Sequence, residues 1–353
     1  MSTPSTRRST LQLTWPVGLV PLQSAATLLI LALIGEALAH IQPIQSILLS
    51  PRISGDYQLG EKLLDLDRQV AAHGPPGCIL IGSSMVLRGI DPDVLSQAYQ
   101  GAFHQPFWCF NFGLAGADAQ AAGRLAAILV REYHPRLLIY GTHFRDFIPY
   151  GNSLVIPWTD YYLGAPTLDG WLEAHSYLFR YALAYKAQSD GDIPGGRFTI
   201  AAIRPNGFSP VARRSRAVRG AVIDTSQDSG FADYAQMSQS YEVDPAALAG
   251  LDQLAALNSP QVRVIAVEMP APDGMYDALP SGAQTRQAFL DALHAHLDPA
   301  GVPVWQPDRV NIPLAGWWDL VHLNSTGAEQ FSEWLGARLV SAIQDGRLAG
   351  LAR

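Results

Sequence analysis

Two short stretches of this chain hold residue types that can carry out acyl chemistry together. The first is Gly82-Ser83-Ser84, which closes the apolar run Cys78–Ile81. The second is Asp319-Leu320-Val321-His322, far downstream. A serine hydroxyl is a weak nucleophile until a base takes its proton. Histidine serves as that base when a carboxylate holds its ring in the right tautomer. A three-residue spacing on a turn puts Asp319 and His322 on one face. The carboxylate can then accept from Nδ1, which leaves Nε2 free to face Ser84. Taken alone, Ser84 reads as the cap of a helix after a tight structural turn. The downstream Asp/His pair argues for the chemical reading.

Two further polar turns belong to the same chemistry. Asn111-Phe112-Gly113-Leu114-Ala115-Gly116-Ala117-Asp118 follows a second apolar run, and Gly141-Thr142-His143-Phe144-Arg145-Asp146 follows a third. Acyl transfer needs donors aimed at the developing oxyanion. The backbone N–H of Ser84 is one candidate, and Gly116 either offers another or only permits a turn. His143 can donate from its ring. Arg145 is an alternative donor, a substrate contact, or the partner of Asp146 in a structural ion pair. Trp317 and Trp318, next to Asp319, read as a stacking wall for substrate or as core. His175 reads as packing among aromatic residues, and His294 and His296 as surface. No G-x-G-x-x-G or G-K-[ST] follows the first apolar run, so a nucleotide site is disfavoured. No CxxC or Cys/His cluster suggests a metal, and no cofactor is expected.

These turns need strands to carry them. The continuous apolar run at 78–82 reads as a strand buried on both faces, and 106–113, 135–141, 262–270 and 302–307 read as four more strands. Helical patterns alternate with them. The segment after Asp91 starts as a helix, with Asp91 as cap and Pro92 at the first position. The expected fold class is α/β with a parallel sheet, and ligands would gather beyond the carboxyl ends of the strands. Residues 147–243 break the alternation and read as an insertion, either a lid or substrate-binding cap or a segment without a role. Cys78 and Cys109 both fall in strands. Buried free thiols are the preferred reading, and a disulfide is open if the strands are neighbours.

The chain has 353 residues, a net charge of −7 and 48% hydrophobic residues, which suits one large domain. The charge balance gives no reason to expect nucleic acid as a partner. Arg213, Arg214, Arg216 and Arg219 are the one basic cluster and read as a solvated loop, with an anionic glycan or lipid headgroup as the minority reading. Residues 1–45 stand apart. Arg7 and Arg8 precede an apolar stretch from near Val17 to Ala39, interrupted by Glu36. It reads as a signal anchor, or as a signal peptide cleaved after Ala37-Leu38-Ala39; either way the remainder is exported. Residues 46–75 read as a linker and lead-in helix, and 76–353 as the main domain.

The segments around Ser84, Gly116 and the Asp319/His322 pair resemble, in order, three sequence blocks of the SGNH (GDSL-like) hydrolases. The likeness covers roughly residues 76–345 without the insertion. It implies a flavodoxin-like three-layer α/β/α sandwich and the cleavage or transfer of acyl groups from esters. It also implies Ser84 as nucleophile, His322 as base, Asp319 as its orienting carboxylate, and Gly116 with the Ser84 amide as oxyanion donors. Ser83 stands where the family usually has aspartate. Gly-Ser-Ser variants resemble exported, membrane-anchored members linked to cell-surface polysaccharide or lipid modification. The family's block-three asparagine is absent, and His143 occupies that place. Three functions follow as expectations: an exported serine esterase, an O-acyltransferase modifying surface polysaccharide, or a degenerate site that binds glycan or scaffolds a complex.

Overall fold

A computed structural model describes residues 19–39, 41, 57–148, 203–212, 231–307 and 312–348, with shorter pieces between 159 and 182, at 218–219, 222–223 and 350–351. Arg7, Arg8, Arg213, Arg214, Arg216 and much of the insertion lie outside the described residues. The helices are α1 (Leu19–Ala39), α2 (Tyr57–His73), α3 (Ser84–Gly89), α4 (Pro92–Phe103), α5 (Ala119–Tyr133), α6 (Leu168–His175), α7 (Phe231–Gln239), α8 (Pro245–Leu257), α9 (Gly282–Leu297) and α10 (Ser325–Gln344). The sheet strands are β1 (Cys78–Gly82), β2 (Cys109–Gly113), β3 (Leu137–Thr142), β4 (Arg263–Glu268) and β5 (Val304–Trp305).

All five strands run parallel, in the order β2-β1-β3-β4-β5. Every residue of β1, β2 and β3 is buried, as their largely apolar runs require, and Asn111 is the polar exception within β2. Helices surround the sheet. α5 packs on α8, and α4 packs on α10. Side-chain oxygens start four of them: Asp91 accepts from Asp93 N–H, Asp118 from Ala121 N–H, Asp244 from Ala246 N–H, and Asn324 from Thr326 and Gly327 N–H.

The lead-in helix belongs to this body. Leu66 and Lys62 of α2 are fully buried. The Lys62 ammonium donates to the carbonyls of Asn111 (2.6 Å) and Gly207 (2.7 Å), which meets part of the cost of burying it. It thereby ties α2, β2 and the insertion together.

Cys78 and Cys109 correct the preferred reading of free thiols. They open neighbouring strands, stand opposite each other in register, and form a disulfide. Strand adjacency is a tertiary property that spacing in the chain does not carry.

Within the insertion, residues 206–209 run along the open edge of β2, where Asn111 N–H donates to Asn206 O, and reach α3. Ser209 N–H donates to Leu87 O, and Ser325 N–H donates to Val211 O. Val218–Arg219 pairs antiparallel with Val222–Ile223. Helix α6 ends in a break at Ser176. Glu36, which interrupts the apolar run of α1, accepts from Ser176 Oγ (2.7 Å) and Leu178 N–H (3.2 Å) at that break. Leu28, Leu29, Ile30, Leu31, Leu33 and Ile34 of α1 are all exposed. No helix among the described residues is long and apolar enough to cross a membrane.

Candidate active site

Gly82, Gly113 and Gly141 lie side by side at the carboxyl ends of β1, β2 and β3. They form a floor on which α3 rests. A Cβ on Gly113 would lie 2.4 Å from Leu87 N, and one on Gly141 would lie 2.4 Å from Val86 Cγ2. Gly82 also has φ +145, which only glycine adopts freely, and this lets the chain turn sharply from β1 into the helix that Ser84 begins. The other end of α3 is held by Asn111 of β2. Its amide donates to Val86 O and Ile90 O (both 2.8 Å), while its Oδ1 accepts from Gly113 N–H (2.9 Å). The sequence reading missed this brace. An asparagine alone in an otherwise apolar strand was the available signal, since a buried amide needs partners.

The Gly113→Ala variant should therefore lift α3 and move Ser84 with it. A displacement of about 1 Å is enough to lower kcat by about a hundredfold. Steady-state kinetics on an aryl ester, with circular dichroism to verify the fold, checks this.

The second half of the site is built from the loop before α10. Trp318 N–H donates to His322 O, and Asn324 Nδ2 donates to Ala315 O. Asp319 Oδ1 accepts from the N–H groups of Val321 (2.9 Å) and His322 (2.7 Å). Its other oxygen, Oδ2, lies 2.7 Å from His322 Nδ1. His322 Nε2 lies 2.7 Å from Ser84 Oγ. With Nδ1–H donating to the carboxylate, Nε2 is the acceptor for the serine proton. Burial pushes the Asp319 carboxyl up, but the imidazole and the two backbone N–H groups outweigh it and hold the carboxyl below its usual range. It stays ionised, as an orienting carboxylate must.

The remaining predicted residues fall as follows. Gly116 sits in the turn after β2 with φ +78 and open space where a Cβ would be. Trp318 is half-buried, lies 5.5 Å from the His322 ring, and carries the Arg88 guanidinium over its face at 4.3 Å. Arg88 is itself buried in α3 and feels the charge of Asp319, a relation the sequence reading did not find. Trp317 is core, and its indole N–H donates to Ile312 O. Arg145 donates to the Tyr234 hydroxyl of α7 at 3.0 Å. His175 is exposed and stacked on Trp171. His294 and His296 face Asp298 and Asp252 at the surface. His143 is fully buried with both ring nitrogens unpartnered, and its backbone N–H donates to Asp146 Oδ2 (3.0 Å).

No protein-family model and no curated protein sequence matches this chain. The reading of the site therefore rests on its own geometry.

His143 and Asp146 titrate in opposite senses. Burial, with Arg145 and His322 adding to it, drives the imidazole from 6.5 down to about 3. Burial drives the Asp146 carboxyl from 3.8 up to about 7, against the pull of Arg145, the His143 N–H and Ser83. Between pH 3.8 and about 7 the folded carboxyl keeps a proton that the unfolded chain releases, so its contribution to stability falls as pH rises. Between about 3 and 6.5 the unfolded imidazole takes a proton that the folded one refuses, so its contribution rises with pH. The two slopes oppose each other where the windows overlap. Asp146→Asn should remove the falling one. Urea midpoints measured from pH 4 to 6.5 are expected to climb more steeply in the variant than in the parent.

Proposed function

We propose that this protein is an exported serine esterase of the SGNH type, acting on short acyl esters. The observation that carries this reading is the unbroken chain from Ser84 Oγ through His322 to Asp319, with 2.7 Å at each link. His322 takes the Ser84 proton as Oγ attacks the ester carbonyl, and returns it to the leaving alcohol. Water then resolves the acyl-enzyme by the same route in reverse. Gly116 and the Ser84 amide are the proposed oxyanion donors, joined by the His143 ring in place of the absent asparagine. A buried neutral imidazole with unpartnered nitrogens suits that role. Trp318 and Arg145 are proposed to wall the substrate.

The order of the parallel strands, with helices packed around them, supports a flavodoxin-like three-layer sandwich as the frame. Export is part of the same proposal. The Cys78–Cys109 disulfide is of a kind that persists in oxidising compartments. The exposed apolar side chains of α1, behind Arg7 and Arg8, support attachment to a membrane through the N-terminal segment or passage as a signal peptide.

An active-site fluorophosphonate tests the catalytic reading directly. Covalent labelling is expected on the peptide that holds Ser84 and not elsewhere. An unlabelled protein would favour the degenerate, glycan-binding alternative.

A further inference from the structure

Arg88 is the fourth residue after Ser84 in the same helix, so the two side chains leave one face of α3 a single turn apart. An arginine that ends a helix ordinarily donates to its last carbonyls. Here the fold gives those carbonyls to other donors. Asn111 Nδ2 donates to Val86 O and Ile90 O, both at 2.8 Å, and Ser209 N–H donates to Leu87 O at 3.0 Å. Asp319 is committed as well, with Oδ1 on two backbone N–H groups and Oδ2 on His322. Among the described residues, the Arg88 guanidinium makes no hydrogen bond and no ion pair, and lies over the face of Trp318 at 4.3 Å.

Arg88 is only 8% exposed. Taking a cation this far out of water costs more than one aromatic face returns, unless hydrogen bonds complete it. Burial lowers the pKa of the group, the direction expected of a cation short of partners. Its nitrogens are not among the sealed, unpartnered atoms of the described residues, so the little of Arg88 that reaches solvent includes its donors.

These donors stand beside the reacting atoms. The Trp318 ring that carries Arg88 lies 5.5 Å from the His322 ring, and His322 Nε2 lies 2.7 Å from Ser84 Oγ. A guanidinium presents five N–H donors in a planar fork, which fits two oxygens of a carboxylate or a phosphate. The net charge of −7 gives the molecule no general attraction for anions, so recognition has to be local.

We infer that Arg88 selects esters that carry an anionic group, a carboxylate or a phosphate, a few bonds from the scissile carbonyl. This rests on the esterase reading above and names its substrate class. Arg88 holds the anion by paired hydrogen bonds while Trp318 backs the guanidinium, and the ester carbonyl falls one helical turn away, at Ser84. The same contact serves an anion on the acyl side or on the alcohol side of the ester, and the test separates the two.

Two ester pairs are given to the full chain. In p-acetoxybenzoate against p-acetoxybenzamide the charge is on the alcohol side. In the p-nitrophenyl monoester of adipate against its terminal amide the charge is on the acyl side. In the parent, kcat/KM is expected to favour the anion by about ten- to hundredfold in at least one pair, the value of a charge-assisted contact. Arg88→Gln should bring that ratio close to one, and Arg88→Lys should keep only part of it, since an ammonium lacks the fork. No preference for either anion in the parent overturns the inference. An Arg88→Gln variant in which both members of a pair fall equally also overturns it, because Arg88 then only supports the triad. Calorimetry with benzoate and benzamide needs no turnover. The parent should bind benzoate at least about tenfold more tightly than benzamide, and equal binding overturns the inference. If circular dichroism shows Arg88→Gln unfolded, the parent ratios and the calorimetry decide. Absence of turnover on all four esters, or turnover that survives Ser84→Ala, would instead sink the esterase reading, while the benzoate titration still reports on Arg88, so the two failures are distinguishable.

Discussion

Ser84→Ala is expected to lower ester hydrolysis by more than about ten-thousandfold, with the fall in kcat rather than in KM. The physical reason lies in the two contacts of 2.7 Å that join Ser84, His322 and Asp319. Alanine removes the atom that becomes covalently bonded, while the imidazole and carboxylate keep their hydrogen bond. His322→Ala should cost about as much, because an unactivated hydroxyl at neutral pH is a poor nucleophile. The double variant should be no worse than either single one, since the residues act as a unit and their effects do not add. Asp319→Asn should fall almost as far, about ten-thousandfold by the behaviour of such triads, because an amide can hold the ring in the wrong tautomer. Steady-state kinetics on one aryl ester across all four variants checks the set. Full activity in Ser84→Ala would remove the triad from the chemistry.

The second large effect concerns stability. Replacing both Cys78 and Cys109 by alanine is expected to cost about 3–4 kcal/mol. That figure follows from the chain-entropy account of a closed loop whose ends are 31 residues apart. Urea unfolding of the parent with and without reductant, beside the double variant, measures it. Reduction should bring the parent close to the variant. Activity at 25 °C should change little, because the cysteines open β1 and β2 at the amino ends whereas Ser84 stands beyond the carboxyl end. A variant as stable as the oxidised parent would show that the strand ladder and core already fix this pair of strands.

Local sequence determined a good deal here. The largely apolar runs around Ile79, Phe110 and Ile139 specified strands buried on both faces, because such strands tolerate them. Asp91 with Pro92 marked a helix start through backbone preferences that act within one turn. The Asp319/His322 spacing fixed its own hydrogen bond, since the loop between Trp318 and His322 closes on itself. What the chain could not reveal alone were relations between distant segments. The disulfide depends on β1 lying beside β2, and the seat of α3 depends on three glycines that meet only when three strands stand in register. The Asn111 brace and the buried Lys62 ammonium find their acceptors on other elements of the fold. Ser84 and His322 lie at opposite ends of the domain's sequence, and only packing of α10 against α3 brings them together. Periodicity and capping are short-range and can be read from neighbours along the chain; burial, register and proton transfer between remote groups come into being with the tertiary structure.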